Sequence, residues 1–456
     1  MDAMPTLQRR LGLAAVMAVV AGDMLGSGIF FTPGELAAVA QNPWQVYFFW
    51  TIAGLITLCG ALTLAELSSL IPKAGSSYHI IREAYGEFAG FLKIWVEMLV
   101  SGPGSVAGVA IAFGAFLAEF LPSQSHWTPT LVGSLAILFF ASINLQGVRW
   151  GGRTQITLTL IKIVALLGLV FGSFLFAPAA ITLQTPAKNL TEGVIPFLRF
   201  IGLGVAAVLF TYDGWVDVTH TAGEISDPKR NLPRGLAASV GAIIVLYLLV
   251  NVAYLRVVRL EKMREAPAQV AFITAETAFG PAGASLLKLL ITVSIFGALG
   301  GVVMTLPRLY YGVAARYQER LEPGNPPHRL FSLLGRVDSK SFVPSASIVF
   351  CAVVSLVALL SFRSFGRIVN FFVVPLQLVN ILMVASVFRL RKRTAANRDS
   401  YLTPAYPFVP LVFVVVMALF LVSAIYYNPK DTLIGIVLAS ISFPVYRWIH
   451  RYELRR

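Results

Sequence analysis

The sequence predicts an all-α polytopic membrane protein with 12 transmembrane spans, of which the first and the sixth are broken near their middles. Three observations support this fold class. Of 456 residues, 57% are hydrophobic and only 13% are charged; the apolar residues fall in long runs; and two of those runs contain helix-breaking residues. A soluble domain of this size does not hide so large an apolar fraction, whereas runs of about 20 apolar residues are typical of membrane-spanning helices.

The apolar runs locate the spans along the chain. We assign them to residues 12–40, 45–71, 88–121, 130–146, 153–177, 196–222, 236–257, 284–311, 342–361, 367–388, 405–427 and 432–449. Loops on the side of the N-terminus contain most of the 36 Lys and Arg residues, which predicts that both termini are cytoplasmic. Residues 1–11 and 450–456 are therefore expected to be cytoplasmic tails.

The net charge of +14 does not indicate a nucleic-acid-binding protein, because the basic residues are spread over short loops and form no continuous block. The two cysteines, Cys59 and Cys351, both lie in apolar runs and predict neither a disulfide framework nor a metal site. We expect no cofactor and no bound metal.

The first break lies in the segment GDMLGSGIFFTPG, residues Gly22–Gly34. Gly26, Ser27 and Gly28 disfavour a helix where a span should be most regular. Backbone groups released inside a bilayer are tolerated only where they are buried in protein or line a wet cavity. A half-helix N-terminus attracts an anion and released carbonyls attract a cation, which together suit an amino-acid zwitterion. The alternative is that the glycines only allow two helices to pack closely.

The second break lies in the sixth span, where Asp213 and Gly214 interrupt an apolar run. An Asp at that depth is costly unless it faces protein or water. Spans one and six begin two halves of five spans each, residues 12–177 and 196–388. Five is an odd number, so the halves must have opposite orientations. Paired breaks in inverted halves are the best sequence-level sign of a transporter binding site. Residues 405–449 follow as spans eleven and twelve.

Several motifs carry a family resemblance. The motif GSGIF and the TP after it (26–33) resemble the first helix of the amino acid–polyamine–organocation superfamily, and ALTLAELSSLIPKAGSSY (61–78) resembles its second helix and following loop. FTYDGW (210–215), EISDP (224–228) and RNLP (230–233) are similar to the L-type amino-acid transporters of that superfamily. The resemblance covers about residues 10–320. It implies the leucine-transporter fold, a five-plus-five inverted repeat with two further helices.

The resemblance also implies where substrate binds. The substrate carboxylate is expected at the backbone around Ser27 and Gly28, and its amino group at carbonyls around Met24, Phe210 and Thr211. Phe210 corresponds to the aromatic lid, or gate, over the substrate, although a Phe at a helix break is also compatible with a lipid-facing anchor. The candidate substrate-binding residues are therefore Met24, Gly26, Ser27, Gly28, Phe210, Thr211, Asp213 and Gly214.

Two charges in the spans are candidates for ion replacement or proton coupling. Lys162 lies eight residues past Thr154, which is about 12 Å along a helix. It either snorkels back to the surface or remains as a fixed ammonium. Superfamily members with a lysine at the matching place are sodium-independent, so the resemblance implies a sodium substitute. Asp23 departs from the L-type pattern. We hypothesise that it pairs or shares a proton with Lys162; the alternative is a solvated position in the cytoplasmic vestibule.

Other polar residues have weaker assignments. Asp213 either faces a cationic substrate side chain or caps the following half-helix, and the second interpretation favours neutral substrates. Glu66 and Glu224 are candidates for a cytoplasmic gate, whereas Glu97 is interpreted as a charge at the membrane boundary. The candidates for the pocket around the substrate side chain are Ser101, Ser105 and Ala298.

Two connections are long enough to contain helices of their own. Residues 72–87 are predicted to form a cytoplasmic loop entering a short amphipathic helix. Residues 261–283 form an outer excursion, either a lid against the protein or an interfacial helix lying on the membrane.

The sequence therefore predicts sodium-independent transport of neutral L-amino acids by alternating access, as an exchanger or a proton symporter. The alternatives are a cationic amino-acid or polyamine carrier, an intramembrane enzyme using Asp23 and Asp213, and a receptor that binds amino acids without transporting them. The expected partners are the amino-acid substrate and the lipid bilayer. No disulfide-linked heavy chain is expected, because the loop at residues 121–127 lacks cysteine. We expect a monomer or weak homo-oligomer in the plasma membrane, of bacterial inner-membrane type.

Overall fold

The computed structural model describes residues 7–26, 28–122, 125–179, 204–205, 208–209, 211–319, 329–362, 365–394, 401–427, 433, 436–437 and 439–447. The α-helices are α1 (Leu13–Met24), α2 (Gly28–Ala37), α3 (Pro43–Leu70), α4 (Ser76–Tyr85), α5 (Glu87–Val96), α6 (Gly102–Ala118), α7 (Thr128–Leu145), α8 (Val148–Phe176), α9 (Pro228–Val257), α10 (Leu260–Glu265), α11 (Val270–Glu319), α12 (Arg329–Leu334), α13 (Ser345–Phe362), α14 (Phe365–Ala385), α15 (Val387–Thr394) and α16 (Phe408–Tyr427). The described residues contain no β-strand, and their β-structure is limited to an isolated bridge between Leu11 and Ile225.

The described residues contain seven helical segments that are long and apolar enough to cross a membrane, and the bent pair α1 and α2 makes an eighth. The axes of that pair differ by 41°. Two shorter apolar helices, Ser345–Ser361 and Phe408–Val422, fall in the predicted ninth and eleventh spans. The predicted sixth and twelfth spans lie partly outside the described residues. The chain is thus an all-α, polytopic, integral membrane protein.

The first broken helix lies at the centre of the bundle. The α1 helix packs against α8, α9 and α11, while α3 packs against α9. The side chains of Val16, Val19 and Val20 are fully buried in this contact. A helix surrounded by other helices has its backbone screened from lipid, so a break in it can be satisfied by protein groups.

The third predicted span contains an irregularity that the sequence did not predict. A π-helical turn, Glu97–Ser101, separates α5 from α6 and precedes Pro103. The Ser101 hydroxyl lies 3.2 Å from the Val96 carbonyl oxygen and donates to it. Such turns occur often at functional sites, because they rotate the side chains that follow.

The two long connections contain helices. In the 72–87 connection, α4 begins after Gly75 and ends before Gly86, and both glycines have positive φ, 67° and 95°. In the outer excursion, α11 begins at Val270 and is interrupted at Gly280, which has a non-helical φ of 72°. This interruption lies four residues before the predicted start of the eighth span at residue 284. The Arg264 guanidinium donates to the carbonyl oxygens of Ala37 at 2.8 Å and Ala40 at 2.6 Å. This part of the excursion therefore packs against the end of α2.

Candidate functional site

The first break releases three backbone carbonyls whose partners come from distant helices. The α1 helix ends at Met24, α2 begins at Gly28, and the Gly26 N–H donates to the Met24 carbonyl oxygen at 2.8 Å. The carbonyl oxygens of Gly22, Met24 and Leu25 each accept a hydrogen bond from a side chain outside this segment. Side chains from other helices therefore hold the backbone of the break in a defined conformation.

Lys162 of α8 supplies two of those hydrogen bonds. Its Nζ lies 2.7 Å from the Gly22 carbonyl oxygen and 2.9 Å from that of Leu25, and the side chain is only 2% exposed. Snorkelling to the membrane surface is therefore wrong for Lys162. Gly297 makes room for the ammonium, because a Cβ there would lie 2.7 Å from Lys162 Cε. Ser294, also on α11, donates to the Leu25 carbonyl oxygen at 3.0 Å.

Asp23 lies between the two breaks but forms no ion pair with Lys162 in this structure, in which the lysine donates to backbone carbonyls instead. Both carboxylate oxygens of Asp23 are buried and lack a hydrogen-bond partner among the described residues. Gly301 lies directly against Asp23 Oδ1, and Gln155 Nε2, also without a partner, is close to the same glycine. The structure thus brings Asp23 into the site without the direct pairing that we hypothesised.

The second break contacts the first. Gly214 has φ 106°, a left-handed value that favours glycine. A Cβ at Gly214 would lie 2.8 Å from the Asp23 carbonyl carbon, and a Cβ at Gly28 would lie 2.6 Å from the Thr211 side chain. The hydroxyl oxygens of Thr211 and Thr32 are 2.7 Å apart. The two breaks therefore meet where Gly28 lies against Thr211 and Gly214 lies against Asp23.

Tyr247 of α9 connects both breaks through one hydroxyl group. Its hydroxyl donor lies 2.7 Å from the Met24 carbonyl oxygen and 3.4 Å from that of Thr211. The ring packs against Trp50 and Tyr212, with ring centroids 5.2 Å and 5.1 Å away. The sequence analysis missed Tyr247, because a tyrosine in an apolar span resembles any other buried aromatic residue.

A cavity of about 40 Å³ adjoins the second break. Two of the three predicted side-chain pocket residues, Ser101 and Ser105, line it together with Asp213 and Gly214. Ala298 is buried on α11 but is not among the described residues that line this cavity. Ser27 and Phe210, the predicted carboxylate site and lid, lie outside the described residues.

The cavity also contains polar residues that sequence reasoning missed or misassigned. Asp217 and Asn380 line it, and neither was a candidate. Glu97 is 5% exposed, with one oxygen bonded to Lys93 and the other 3.2 Å from the Ser101 hydroxyl, so its interpretation as a boundary charge is wrong. The spacing of Lys93, Glu97 and Ser101, four residues apart on one helical face, was the available signal.

The two predicted gate carboxylates are both buried in ion pairs. Glu66 Oε1 lies 3.6 Å from Arg391 Nε, and Oε2 accepts from the Thr403 N–H at 2.6 Å. Glu224 Oε1 lies 3.0 Å from Arg308 Nε, and neither side chain is exposed. The Glu224 carbonyl oxygen accepts from the backbone N–H groups of Arg10 and Leu11 at 2.8 Å and 2.9 Å. This second contact ties the chain before α1 to the end of the second break.

Comparisons with known proteins show the family of this chain. A family model described as amino acid permease matches residues 11–441. Over 445 residues the chain is 28% identical to the serine/threonine exchanger SteT of Bacillus subtilis (strain 168), with 96% of each chain covered. It is 26% identical to the Homo sapiens large neutral amino acids transporter small subunit 2, over 98% of this chain and 82% of that protein. It is also 26% identical to the Homo sapiens cystine/glutamate transporter, over 96% of this chain and 85% of that protein.

These relatives are named as exchangers and transporters, and none of the three is named as an enzyme. The match to the permease family extends over nearly the whole chain and includes both breaks. The chain therefore belongs to the amino acid permease family, within the amino acid–polyamine–organocation superfamily, and is a membrane transport protein rather than an enzyme.

Proposed function

We propose that the protein exchanges neutral L-amino acids across the membrane by alternating access and needs no sodium. The observation that carries this proposal is the Lys162 ammonium, which donates to the Gly22 and Leu25 carbonyl oxygens at the first break. Released carbonyls at such a break attract a cation. Here a covalently attached cation occupies them, so an inorganic one is not required. The names of the serine/threonine and large neutral amino-acid relatives support a neutral substrate.

The proposal includes the architecture predicted from sequence. Residues 12–177 and 196–388 form two inverted repeats of five spans, residues 405–449 form spans eleven and twelve, and both termini face the cytoplasm of a bacterial inner membrane. The contact between the two breaks, through Gly214 against Asp23 and Gly28 against Thr211, supports a shared site at the interface of the repeats. In this site the backbone at residues 26–28 holds the substrate carboxylate, and carbonyls at residues 210 and 211 hold its amino group. The Met24 carbonyl oxygen, predicted for the same role, already accepts from the Gly26 N–H and the Tyr247 hydroxyl.

The first experiment is uptake of labelled amino acids by purified protein in sodium-free proteoliposomes. Vesicles are empty, preloaded with unlabelled amino acids, or placed under an inward proton gradient. We expect uptake into preloaded vesicles and little into empty ones. Uptake that requires sodium, or labelled substrate that binds without entering, would contradict the proposal. The purified chain should suffice alone, since the loop at residues 121–127 lacks a cysteine for a disulfide-linked subunit.

Proton coupling is tested at Asp23. Its carboxylate is buried without a hydrogen-bond partner among the described residues, a costly state that function would explain. If Asp23 carries the coupled proton, Asp23→Asn abolishes uptake driven by the proton gradient but leaves exchange between preloaded vesicles. If the variant keeps both activities and their pH dependence, Asp23 has no coupling role. If the wild-type protein shows no uptake driven by the proton gradient, the protein is an exchanger alone.

A second candidate function is transport of a cationic amino acid. One observation favours it: the carboxylates of Asp213 and Asp217 line one cavity, and the described residues provide no ion-pair partner for either. Lysine or ornithine should then exchange faster than any neutral amino acid in the same vesicles. Exchange of neutral amino acids with no inhibition by excess lysine would exclude this candidate.

A further inference from the structure

We propose that the cavity beside the second break selects substrates whose side chain ends in a hydrogen-bond donor, and that Asp217 is the residue that determines this specificity. The inference rests on the proposed function, because it concerns the side-chain end of the same amino-acid site. A short hydroxyl side chain is the favoured source of the donor, and an ammonium group is the other source.

The cavity contains hydrogen-bond acceptors that have no donor among the described residues. Asn380 is only 2% exposed, and its Oδ1 has no hydrogen-bond partner. Asp217 receives no hydrogen bond and no ion pair from the described residues, and a carboxylate only accepts hydrogen bonds. Asp217 is half-buried, so its carboxylate is open to water in the cavity, whereas Asn380 Oδ1 is buried. Two acceptors without a protein partner among the described residues therefore line one small space.

The three carboxylates of the cavity have different surroundings. Glu97 is paired, because one of its oxygens is bonded to Lys93 and the other lies 3.2 Å from the Ser101 hydroxyl, which also lies 3.2 Å from the Val96 carbonyl oxygen. Asp213 lies in the break itself, beside Gly214 at φ 106°. Asp217 begins the helical turn that follows, Asp217–Glu224, and no described side chain pairs with it, so its carboxylate can accept a hydrogen bond from a ligand.

The volume of the cavity limits the size of the ligand group that it can hold. The cavity of about 40 Å³ has room for about three water-sized groups, if each needs roughly 10–15 Å³. That space matches a hydroxyethyl side chain better than a long one.

The expected selectivity follows from the cost of removing water from the half-buried Asp217 carboxylate and the buried Asn380 Oδ1 without supplying a donor in its place. An apolar side chain of the same shape would displace water from Asp217 and Asn380 and return no donor. Sites that hydrogen-bond a substrate hydroxyl reject analogues without it, so we expect threonine to be preferred to valine by roughly tenfold to hundredfold.

The experiment uses two readouts on the wild-type protein. Exchange in proteoliposomes and thermal stabilisation in detergent are both measured with two matched pairs, threonine against valine and ornithine against norvaline. We expect a large threonine-to-valine ratio in both readouts. A preference for ornithine over norvaline instead would keep the donor-selective subsite but would contradict the neutral substrate class. Equal responses within both pairs would overturn the inference even if exchange is fast.

Variants of Asp217 then test the assignment to one residue. Asp217→Ala should reduce the threonine-to-valine ratio to about threefold or less. Asp217→Asn keeps an acceptor oxygen and should retain most of that ratio, while any ornithine preference should disappear. Asp338→Ala, in an exposed turn, is the matched control and should leave both ratios unchanged. A ratio within one sample does not depend on the amount of active protein. An unchanged ratio in Asp217→Ala would therefore overturn the assignment.

The two readouts distinguish a failure of substrate binding from a failure of transport. If threonine stabilises the wild-type protein and valine does not, but no label enters the vesicles, the proposed transport function fails and the subsite inference stands. If both amino acids exchange equally, the reverse holds.

Discussion

Both helix breaks contain glycine, but the polar side chains around them differ: donors surround the first break and acceptors surround the second. At the first break, donors from α8, α9 and α11 satisfy the released carbonyls of Gly22, Met24 and Leu25. At the second break, Asp213 and Asp217 add acceptors to a cavity whose described lining contains no basic side chain. The protein therefore supplies the cation at one break and leaves acceptors for a ligand at the other.

This difference separates what every substrate needs from what distinguishes one substrate from another. Hydrogen bonds from a charged donor to buried carbonyls stabilise a broken helix in one geometry. Acceptors in a cavity lower stability unless water or a ligand pairs with them. Substitutions at the first break should therefore lower transport of every substrate, whereas substitutions at the second should change the order of substrates.

The largest effect is expected from Lys162→Met, which removes the ammonium but keeps most of the side-chain length. Two buried carbonyl oxygens lose a charged donor, and hydrogen bonds to charged groups contribute about 1.5–3 kcal/mol each. Exchange in proteoliposomes should fall by roughly a hundredfold or more for all substrates alike. Lys288→Met, on α11 with a partner in Glu119, is the control and should keep most activity. Comparable activity in the two variants would remove Lys162 from the mechanism.

An intermediate effect is expected from Tyr247→Phe, which removes the hydroxyl shared by the Met24 and Thr211 carbonyl oxygens. One neutral hydrogen bond contributes about 1 kcal/mol, so exchange should fall roughly fivefold to tenfold. Tyr254→Phe provides a matched control, because Tyr254 lies on the same helix and its buried hydroxyl has no hydrogen-bond partner among the described residues. The control should be neutral or slightly stabilising in a thermal unfolding assay. Equal losses in both variants would mean that the aromatic packing is altered and not the connection between the breaks.

The smallest effect is expected from Ser294→Ala. The Leu25 carbonyl oxygen loses one of its two donors but keeps Lys162 at 2.9 Å, so it remains satisfied. Exchange should fall by about threefold or less. Ser285→Ala, exposed on the same helix, is the control. A loss as large as that of Lys162→Met would show that the serine, and not the ammonium, holds the carbonyl in place.

Sequence reasoning performed best where the signal was local. Glycines 26 and 28 and the Asp213-Gly214 pair predicted interruptions of helices, and the structure has α1 ending at Met24 and Gly214 at φ 106°. It performed less well where the partner was distant. Glu97 resembled a boundary charge because it lies near the start of the third predicted span, and the direct pairing of Asp23 with Lys162 did not form.

The amino-acid sequence by itself determined that this chain is helical, lies in a membrane, is broken at two positions and belongs to a transport family. Hydrophobic runs, glycines and short motifs act within a few neighbouring residues, so one chain segment contains all the information. Only the tertiary structure decided which groups satisfy the breaks. The donor to Gly22 comes from a residue 140 positions away and a donor to Leu25 from one 269 positions away. Such hydrogen bonds depend on how whole helices pack, and no local pattern contains that geometry.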